Sequence, residues 1–159
     1  MKMVIFLLIF CVLVSCGKTK QQVLDELNRD VESHCFDFSD AAFWGWYGAV
    51  ASIKKGITEP NLDLYETFGR SFTSRNKLEQ GDLTAEEQVE IRKEEESRMK
   101  GFNYGFSEAI NYMLETKDTD ITSIMRKYSS LNMTEVYKRG CINTNLEHNR
   151  KRVDLEFVN

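Results

Sequence analysis

The sequence predicts an all-α fold, a compact orthogonal bundle of about five to six helices. Apolar residues recur at intervals of three and four in one segment after another, which is the spacing of a single helix face. Serine, threonine, aspartate or asparagine precedes most of these segments, as at a capped helix start. The 159 residues are 42% hydrophobic and 29% charged, with one proline, a composition typical of a single compact domain.

The first sixteen residues differ in composition from the rest of the chain. Lys2 supplies one positive charge, and the eleven residues from Val4 to Val14 are all apolar. At about 1.5 Å per residue, this run covers little more than half of a hydrocarbon core of about 30 Å, so a spanning helix is the weaker alternative. We therefore predict a cleaved signal peptide over residues 1–15.

The leader ends in Leu13-Val14-Ser15-Cys16. This stretch resembles the lipobox of bacterial lipoproteins, in which a large aliphatic and a small residue precede a cysteine that is acylated, with palmitate for example, and becomes the first mature residue. The resemblance implies that Cys16 carries the lipid and holds the protein on a membrane of the cell envelope. Gly17 implies sorting to the outer membrane, facing the periplasm. The alternative is ordinary cleavage near Ser15, which leaves Cys16 as a plain thiol.

Two cysteines remain once the leader and the lipidated residue are set aside, Cys35 and Cys141. In an oxidising compartment such a pair predicts a disulfide, and closing a loop of about 100 residues contributes about 4 to 5 kcal/mol in the chain-entropy model. Two alternatives stay open. His34 and His148 could join the thiols in a zinc site, although their spacing is unlike that of compact zinc sites. A nucleophilic Cys-His pair would need a depressed thiol pKa.

A short tether over residues 16–21 is predicted to join the lipidated cysteine to a helical domain over residues 22–150. The first helix is predicted from Gln22 to about His34, because apolar residues fall on one stripe of that segment. The second is predicted to start at an N-cap at Ser39 or Asp40 and to run to about Lys55, with Gly56 ending it.

The remaining elements follow from turns and caps. A turn at residues 59–61 precedes a third helix over residues 63–75, and a loop is predicted over 74–83. Thr84 with Glu87 makes a capping box that begins a long helix, which is charged and exposed up to Lys100 and enters the core from Gly101. A short helix capped by Thr119 or Asp120 and a last helix capped by Asn132 with Glu135 come next. Residues 151–159 are predicted to form a frayed C-terminal tail.

Two segments share an aromatic-glycine-aromatic pattern, Trp44-Gly45-Trp46 and Tyr104-Gly105-Phe106. Together with Gly48 and Gly101, these glycines predict that two helices cross at short distance. Large rings beside the crossing could form a core, or they could form a ligand cleft, since aromatic rings stack on sugars and other flat apolar faces. The candidate binding residues are Trp44, Trp46, Tyr47 and Tyr104.

Common catalytic templates are absent from the sequence. It has no glycine-rich phosphate loop, no Gly-x-Ser-x-Gly elbow, no His-Glu-x-x-His helix and no Cys-x-x-Cys pair, and no cofactor or metal is expected. A charge of −4 without an extended basic run disfavours nucleic acid as a partner. Glu108 is the best single candidate for a catalytic carboxylate. The alternative places Glu108 on the exposed face beside Ser107 and Asn111.

A second resemblance involves Cys35-Phe36-Asp37-Phe38, residues 101–111 and Cys141. These segments look like parts of small helical periplasmic proteins with one disulfide, including HdeA/HdeB-type acid-stress chaperones and Rap1a-type immunity proteins, and imply a general architecture only. We expect a non-enzymatic envelope lipoprotein that binds another protein, as an inhibitor, immunity factor, exclusion factor or assembly accessory. The alternatives are a small-ligand or cell-wall-fragment binder with an aromatic cleft and a hydrolase with a buried carboxylate.

Overall fold

A computed structural model describes residues 17–70, 81 and 83–158, and in this part of the chain every regular element is helical. The helices are α1 (Lys20–Asn28), α2 (Val31–Ile53), α3 (Leu62–Leu64, continued by a π-helical turn over Tyr65–Gly69), α4 (Ala85–Thr116), α5 (Ile121–Ser130) and α6 (Met133–Glu156). The predicted all-α bundle is confirmed. The signal peptide and the lipobox with Cys16 lie outside the described residues.

The centre of the bundle is the crossing of α2 and α4, where the two backbones touch. A Cβ placed on Gly45 would overlap the carbonyl oxygen of Phe102, and one on Gly105 would overlap the carbonyl of Ala42. Gly101 lies equally close to the backbone of α2. The close crossing predicted from the glycines is therefore confirmed, because no larger residue fits between the two backbones.

The core surrounds this crossing and extends to α5, α6 and the π-helical turn. Large rings pack edge-on or tilted against one another there, with centroid separations such as 5.7 Å for Tyr65 and Phe102 and 5.4 Å for Trp46 and Tyr128. The largest buried side chains of this core are Trp46, Tyr65, Phe102, Phe106, Ile110, Met113, Ile124, Tyr128 and Tyr137.

The predicted helix end at His34 and the predicted N-cap at Ser39 or Asp40 are wrong, because α2 is continuous through all three residues. The hydroxyl of Ser39 donates to the carbonyl of Phe36 within the helix, at 2.9 Å. The carboxylate of Asp40 accepts from the guanidinium of Arg98 on α4, at 2.9 Å. Both polar side chains therefore have partners that are compatible with an uninterrupted helix, and the chain breaks earlier, between α1 and α2.

Helix α1 begins inside the predicted tether. The hydroxyl of Thr19 accepts from the backbone N–H of Gln22 at 3.2 Å, and the side chain of Gln22 accepts from the N–H of Thr19 at 2.8 Å. This capping box satisfies two N–H groups at the helix start. The helical domain consequently starts at Lys20 instead of residue 22.

The predicted frayed tail is wrong as far as Glu156, where α6 ends. Val153 is fully buried, and Asp154 pairs with Lys20 of α1 at 2.7 Å. One turn earlier, the amide of Asn149 donates to the carbonyl of Leu27 at 3.1 Å. Because α1 packs along this end of α6, the basic and mixed residues there remain helical.

The predicted third helix ends early, at Gly69, and Arg70 is extended with a ψ of 133°. The N–H of Arg70 donates to the carbonyl of Tyr65 at 2.9 Å, which closes the π-helical turn. Gly69 packs against the rings of Tyr65 and Phe102, so the tight turn fits into the core. The rest of the predicted helix, and all of the predicted loop except Gly81 and Leu83, lie outside the described residues.

Two of the predicted caps are confirmed. The hydroxyl of Thr84 accepts from the N–H of Glu87 at 3.2 Å at the start of α4, and Asp120 accepts from the N–H of Ser123 at 2.8 Å at the start of α5. The capping box predicted from Asn132 is wrong, since this residue makes no side-chain cap. Its φ of 49° turns the chain sharply between α5 and α6, and that turn takes the place of a cap.

Candidate functional site

A disulfide joins Cys35 of α2 to Cys141 of α6, with the two Cα atoms 5.6 Å apart. Cys35 is fully buried, and the side-chain amide of Asn145 donates to the carbonyl of Cys141 at 2.9 Å. The predicted pair is confirmed. Both sulfur atoms are bonded, so neither is a thiolate that could bind zinc or attack a substrate. Among the described residues, no group of three or more His, Cys, Asp or Glu side chains is placed to hold a metal ion.

A groove of about 750 Å³ lies beside the disulfide, between α4 and α6. Both helices pack on α2 and make few contacts with each other, so α2 forms the floor and they form the walls. The α4 wall extends from Lys93 to Glu108, about 22 Å at about 1.5 Å per residue. The α6 wall extends from Met133 to Asn145.

The groove has an apolar half and a polar half. The rings of Tyr104 on α4 and Tyr137 on α6 are in contact, with their centroids 5.2 Å apart, so these two residues lie at the same height on the two walls. The hydroxyl of Ser97 donates to the carbonyl of His34. Because His34 adjoins Cys35, this contact lies closer to the disulfide. The apolar half is lined by Phe38, Tyr104, Met133, Val136 and Tyr137, and the polar half by His34, Lys93, Glu96, Ser97, Lys100, Thr144 and Asn145.

The base of the apolar half is tied to the core through a hydrogen bond. The indole Nε1 of Trp46 donates to the hydroxyl of Tyr137 at 3.0 Å. Burial raises the pKa of Tyr137, and the nearby negative charge of Glu108 also raises it. The phenol therefore stays neutral, and its ring holds one position against both the core and Tyr104.

Glu108 is half-buried at the apolar end of the groove, not on the exposed face beside Ser107 and Asn111. It follows Tyr104 by one helical turn. Burial raises the pKa of Tyr104, and the charge of Glu108 raises it further. Within the described part of the chain, the Glu108 carboxylate has no ion pair and no hydrogen bond.

The four aromatic residues predicted to form a cleft do not lie together. Tyr104 lines the groove, while Trp46 lies beneath it in the core. Trp44 and Tyr47 pack against each other at 6.0 Å, and Tyr47 also contacts Phe68 at 5.8 Å. Trp44 and Trp46 are about 200° apart around the helix axis, so one indole faces the core while the other is partly exposed.

The charged half of α4 contains one buried cation that the sequence analysis missed. Arg98 is 5% exposed, pairs with Asp40 at 2.9 Å and Asp37 at 3.8 Å, and donates to the carbonyl of Gly69 at 3.0 Å. Burial raises the pKa of Asp37 to about 6, and the charge of Glu94 adds to this while Arg98 opposes it. No local sequence signal distinguishes Arg98 from its exposed neighbours.

A second polar network holds the π-helical turn on α4. Glu95 accepts from the hydroxyl of Tyr65 at 2.9 Å and from the guanidinium of Arg70 at 3.0 Å. Burial, followed by the hydrogen bond to Glu95, raises the pKa of Tyr65. These contacts connect α3 to the central helix pair, and they lie on the side of α4 that faces away from the groove.

The chain matches no known protein family, no curated protein and no solved structure. In the described residues, no helix combines the length and the apolar character needed to cross a bilayer.

Proposed function

We propose that this protein is a lipid-anchored component of the bacterial envelope that binds another protein through the groove between α4 and α6. The observation that carries the proposal is the groove itself, about 750 Å³ in volume with one apolar half. The protein would act on a partner bound there by sequestering it or by positioning it, as expected of an inhibitor, immunity factor, exclusion factor or assembly accessory. No chemical step on the partner is required.

The dimensions of the groove suit an α-helix of the partner. Its α4 wall of about 22 Å corresponds to about four helical turns, and because the rings of Tyr104 and Tyr137 meet across the groove, one face of such a helix would lie on these rings and on the exposed sides of α4 and α6. Val136 and Tyr104 are 52% and 47% exposed at this surface, so each has area left to bury. Tyrosine is also enriched among the residues that anchor protein interfaces.

The lipobox supports the membrane location. If Cys16 carries the lipid, only three residues lie between it and the start of α1 at Lys20, which makes four Cα–Cα steps. At about 3.5 Å per extended residue, this stretch spans at most about 14 Å. The helical domain would therefore lie against the membrane surface, and the partner segment would be one that is exposed close to an envelope membrane.

Two valines on the surface provide a matched test. Val136 lines the groove, Val89 lies on α4 away from it, and both are 52% exposed. When whole cells are treated with a crosslinker, Val136→Glu is expected to abolish the capture of envelope proteins, because it places a charge in the apolar half of the groove. Val89→Glu is expected to leave capture unchanged. Equal capture by the two variants would contradict the proposal.

The second candidate function is binding of a small ligand or a cell-wall fragment. It is favoured by the exposed ring of Tyr104, which lines the same groove as the polar side chains of Lys100 and Asn145. Titration with soluble peptidoglycan fragments would then quench the fluorescence of Trp46, which is hydrogen-bonded to the groove residue Tyr137. Saturable quenching that is lost in Tyr104→Ala would support this function over protein binding.

A further inference from the structure

We propose that Glu108, with the rings of Tyr104 and Tyr137, forms a subsite for one cationic side chain, an arginine in preference to a lysine. The inference rests on the proposed function, because the cation belongs to the partner segment that enters the groove. It names the chemistry that the partner must present at the apolar end of the groove.

Glu108 has no counter-ion among the residues that the structure describes. A half-buried carboxylate loses part of its hydration, and this cost is offset only when a cation or a hydrogen-bond donor approaches it. The cations of the groove walls contact other carboxylates. Lys100 pairs with Glu96 at 2.6 Å, and Lys93 pairs with Glu90 at 3.5 Å.

The cations on α6 near this end of the groove are also engaged. Lys138 pairs with Glu32 of α2 at 3.3 Å, and Arg139 pairs with Glu135 at 2.7 Å. Among the described residues, no basic side chain forms an ion pair with Glu108. A cation that neutralises this carboxylate has to come from outside the described residues, and the groove is the route by which it reaches Glu108.

Two tyrosine rings line the groove beside the carboxylate of Glu108. The ring of Tyr104 is edge-on to that of Tyr137, at 89° and 5.2 Å, and is tilted against Phe38 at 5.8 Å. Tyr104 keeps 47% of its surface exposed. The face of an aromatic ring attracts a cation, and the attraction grows where water is excluded.

Arginine fits this combination better than lysine. A planar guanidinium can donate two parallel hydrogen bonds to the Glu108 carboxylate while it stacks on the ring of Tyr104. An ammonium group can do only one of these well. The net charge of −4 also favours a basic partner.

The experiment titrates the full chain, in detergent micelles, with N-acetyl-arginine methylamide and with its uncharged citrulline analogue. Binding is followed by NMR of isotope-labelled tyrosine rings. We expect the arginine derivative to shift the Tyr104 resonances at concentrations about tenfold lower than the citrulline derivative, which corresponds to about 1.4 kcal/mol.

Variants identify the groups involved. Glu108→Gln is expected to abolish the preference for the arginine derivative over the citrulline derivative. Glu115 is an exposed carboxylate on the same helix, and Glu115→Gln is expected to retain this preference. Tyr104→Phe should keep the preference because the ring remains, whereas Tyr104→Leu should lose it. Equal affinity for the two ligands, or an unchanged preference in Glu108→Gln, would overturn the inference. A different result would contradict the proposed function and leave this inference standing: Val136→Glu still captures the partner while the preference for arginine is retained.

Discussion

The indole of Trp46 donates a 3.0 Å hydrogen bond to the hydroxyl of Tyr137, although the two residues are 91 positions apart in the sequence. Trp46 belongs to the buried face of α2, and Tyr137 lines the groove from α6. The bond therefore connects the core to the surface that we propose as the binding site. This hydrogen bond fixes the ring of Tyr137, and with it the apolar half of the groove, against the core.

Tyr137→Phe is expected to lower the free energy of unfolding by about 1 to 3 kcal/mol, because it leaves the buried indole N–H of Trp46 without an acceptor. Urea denaturation followed by tryptophan fluorescence measures this loss. Tyr104→Phe removes a hydroxyl from a half-exposed ring and serves as the control, with a change below about 0.5 kcal/mol. Equal effects of the two substitutions would mean that the Trp46 bond contributes nothing to stability.

The glycine crossing gives a second prediction. A Cβ on Gly105 would overlap the backbone carbonyl of Ala42, so Gly105→Ala must push α2 and α4 apart. We expect this substitution to lower the free energy of unfolding by about 1 to 3 kcal/mol. Gly140, in the interior of α6, has no atom within 4 Å of such a Cβ. Gly140→Ala is expected to stabilise the protein by about 0.4 to 1 kcal/mol. Thermal unfolding of the two variants would show shifts of opposite sign, and a stabilised Gly105→Ala would refute the close crossing.

The disulfide between Cys35 and Cys141 closes a loop with a sequence separation of 106. Reduction of the folded protein is expected to lower its stability by about 4 to 5 kcal/mol in the chain-entropy model. Denaturation with and without a reductant measures the difference. A double variant, Cys35→Ala with Cys141→Ala, should match the reduced protein and show no response to reductant. A reductant effect that persists in the double variant would have another origin.

Asp37 predicts a dependence of stability on pH. Burial raises its pKa in the folded protein to about 6, above the value of 3.8 that the free side chain has. The folded state therefore binds this proton more tightly than the unfolded state, and the associated stabilisation is fully present below about pH 4 and lost as the pH rises through about 6.

Comparison with Asp37→Asn isolates this contribution. Between pH 7 and pH 5, the wild-type protein is expected to gain stability relative to the variant, as measured by urea denaturation at each pH. Asp25→Asn, at an exposed position on α1, is the control for loss of a surface carboxylate. A difference between wild type and Asp37→Asn that does not change with pH would show that Asp37 titrates at the same pH in both states.

Lipidation of Cys16 is predicted from the sequence alone. The intact mass of the protein extracted from membranes is expected to correspond to residues 16–159 plus two or three acyl chains, with both remaining cysteines resistant to alkylation before reduction. Cys16→Ala is expected to leave the chain unprocessed or to release it from the membrane fraction. A mature chain that lacks lipid and stays soluble would contradict the proposed anchor.

Several elements could be predicted because neighbouring residues define them. The capping box of Thr84 and Glu87 involves atoms three residues apart, and the same is true of the cap at Asp120. The glycines at positions 45 and 105 indicated a close crossing because few other reasons favour glycine inside two aromatic helices. The disulfide was predicted by counting cysteines, since the predicted leader and the predicted lipidation set Cys11 and Cys16 aside and leave Cys35 and Cys141 to pair.

Tertiary contacts decided the rest. Ser39 and Asp40 have the side chains of a helix start, yet α2 passes through them because Phe36 and Arg98 supply partners that favour the helix. The sequence alone therefore determined the helical class, several caps and the cysteine pair, all of which depend on local geometry or on composition. The groove, the buried Arg98 and the position of Glu108 depend on which faces of distant helices meet, and only the packed structure determines that.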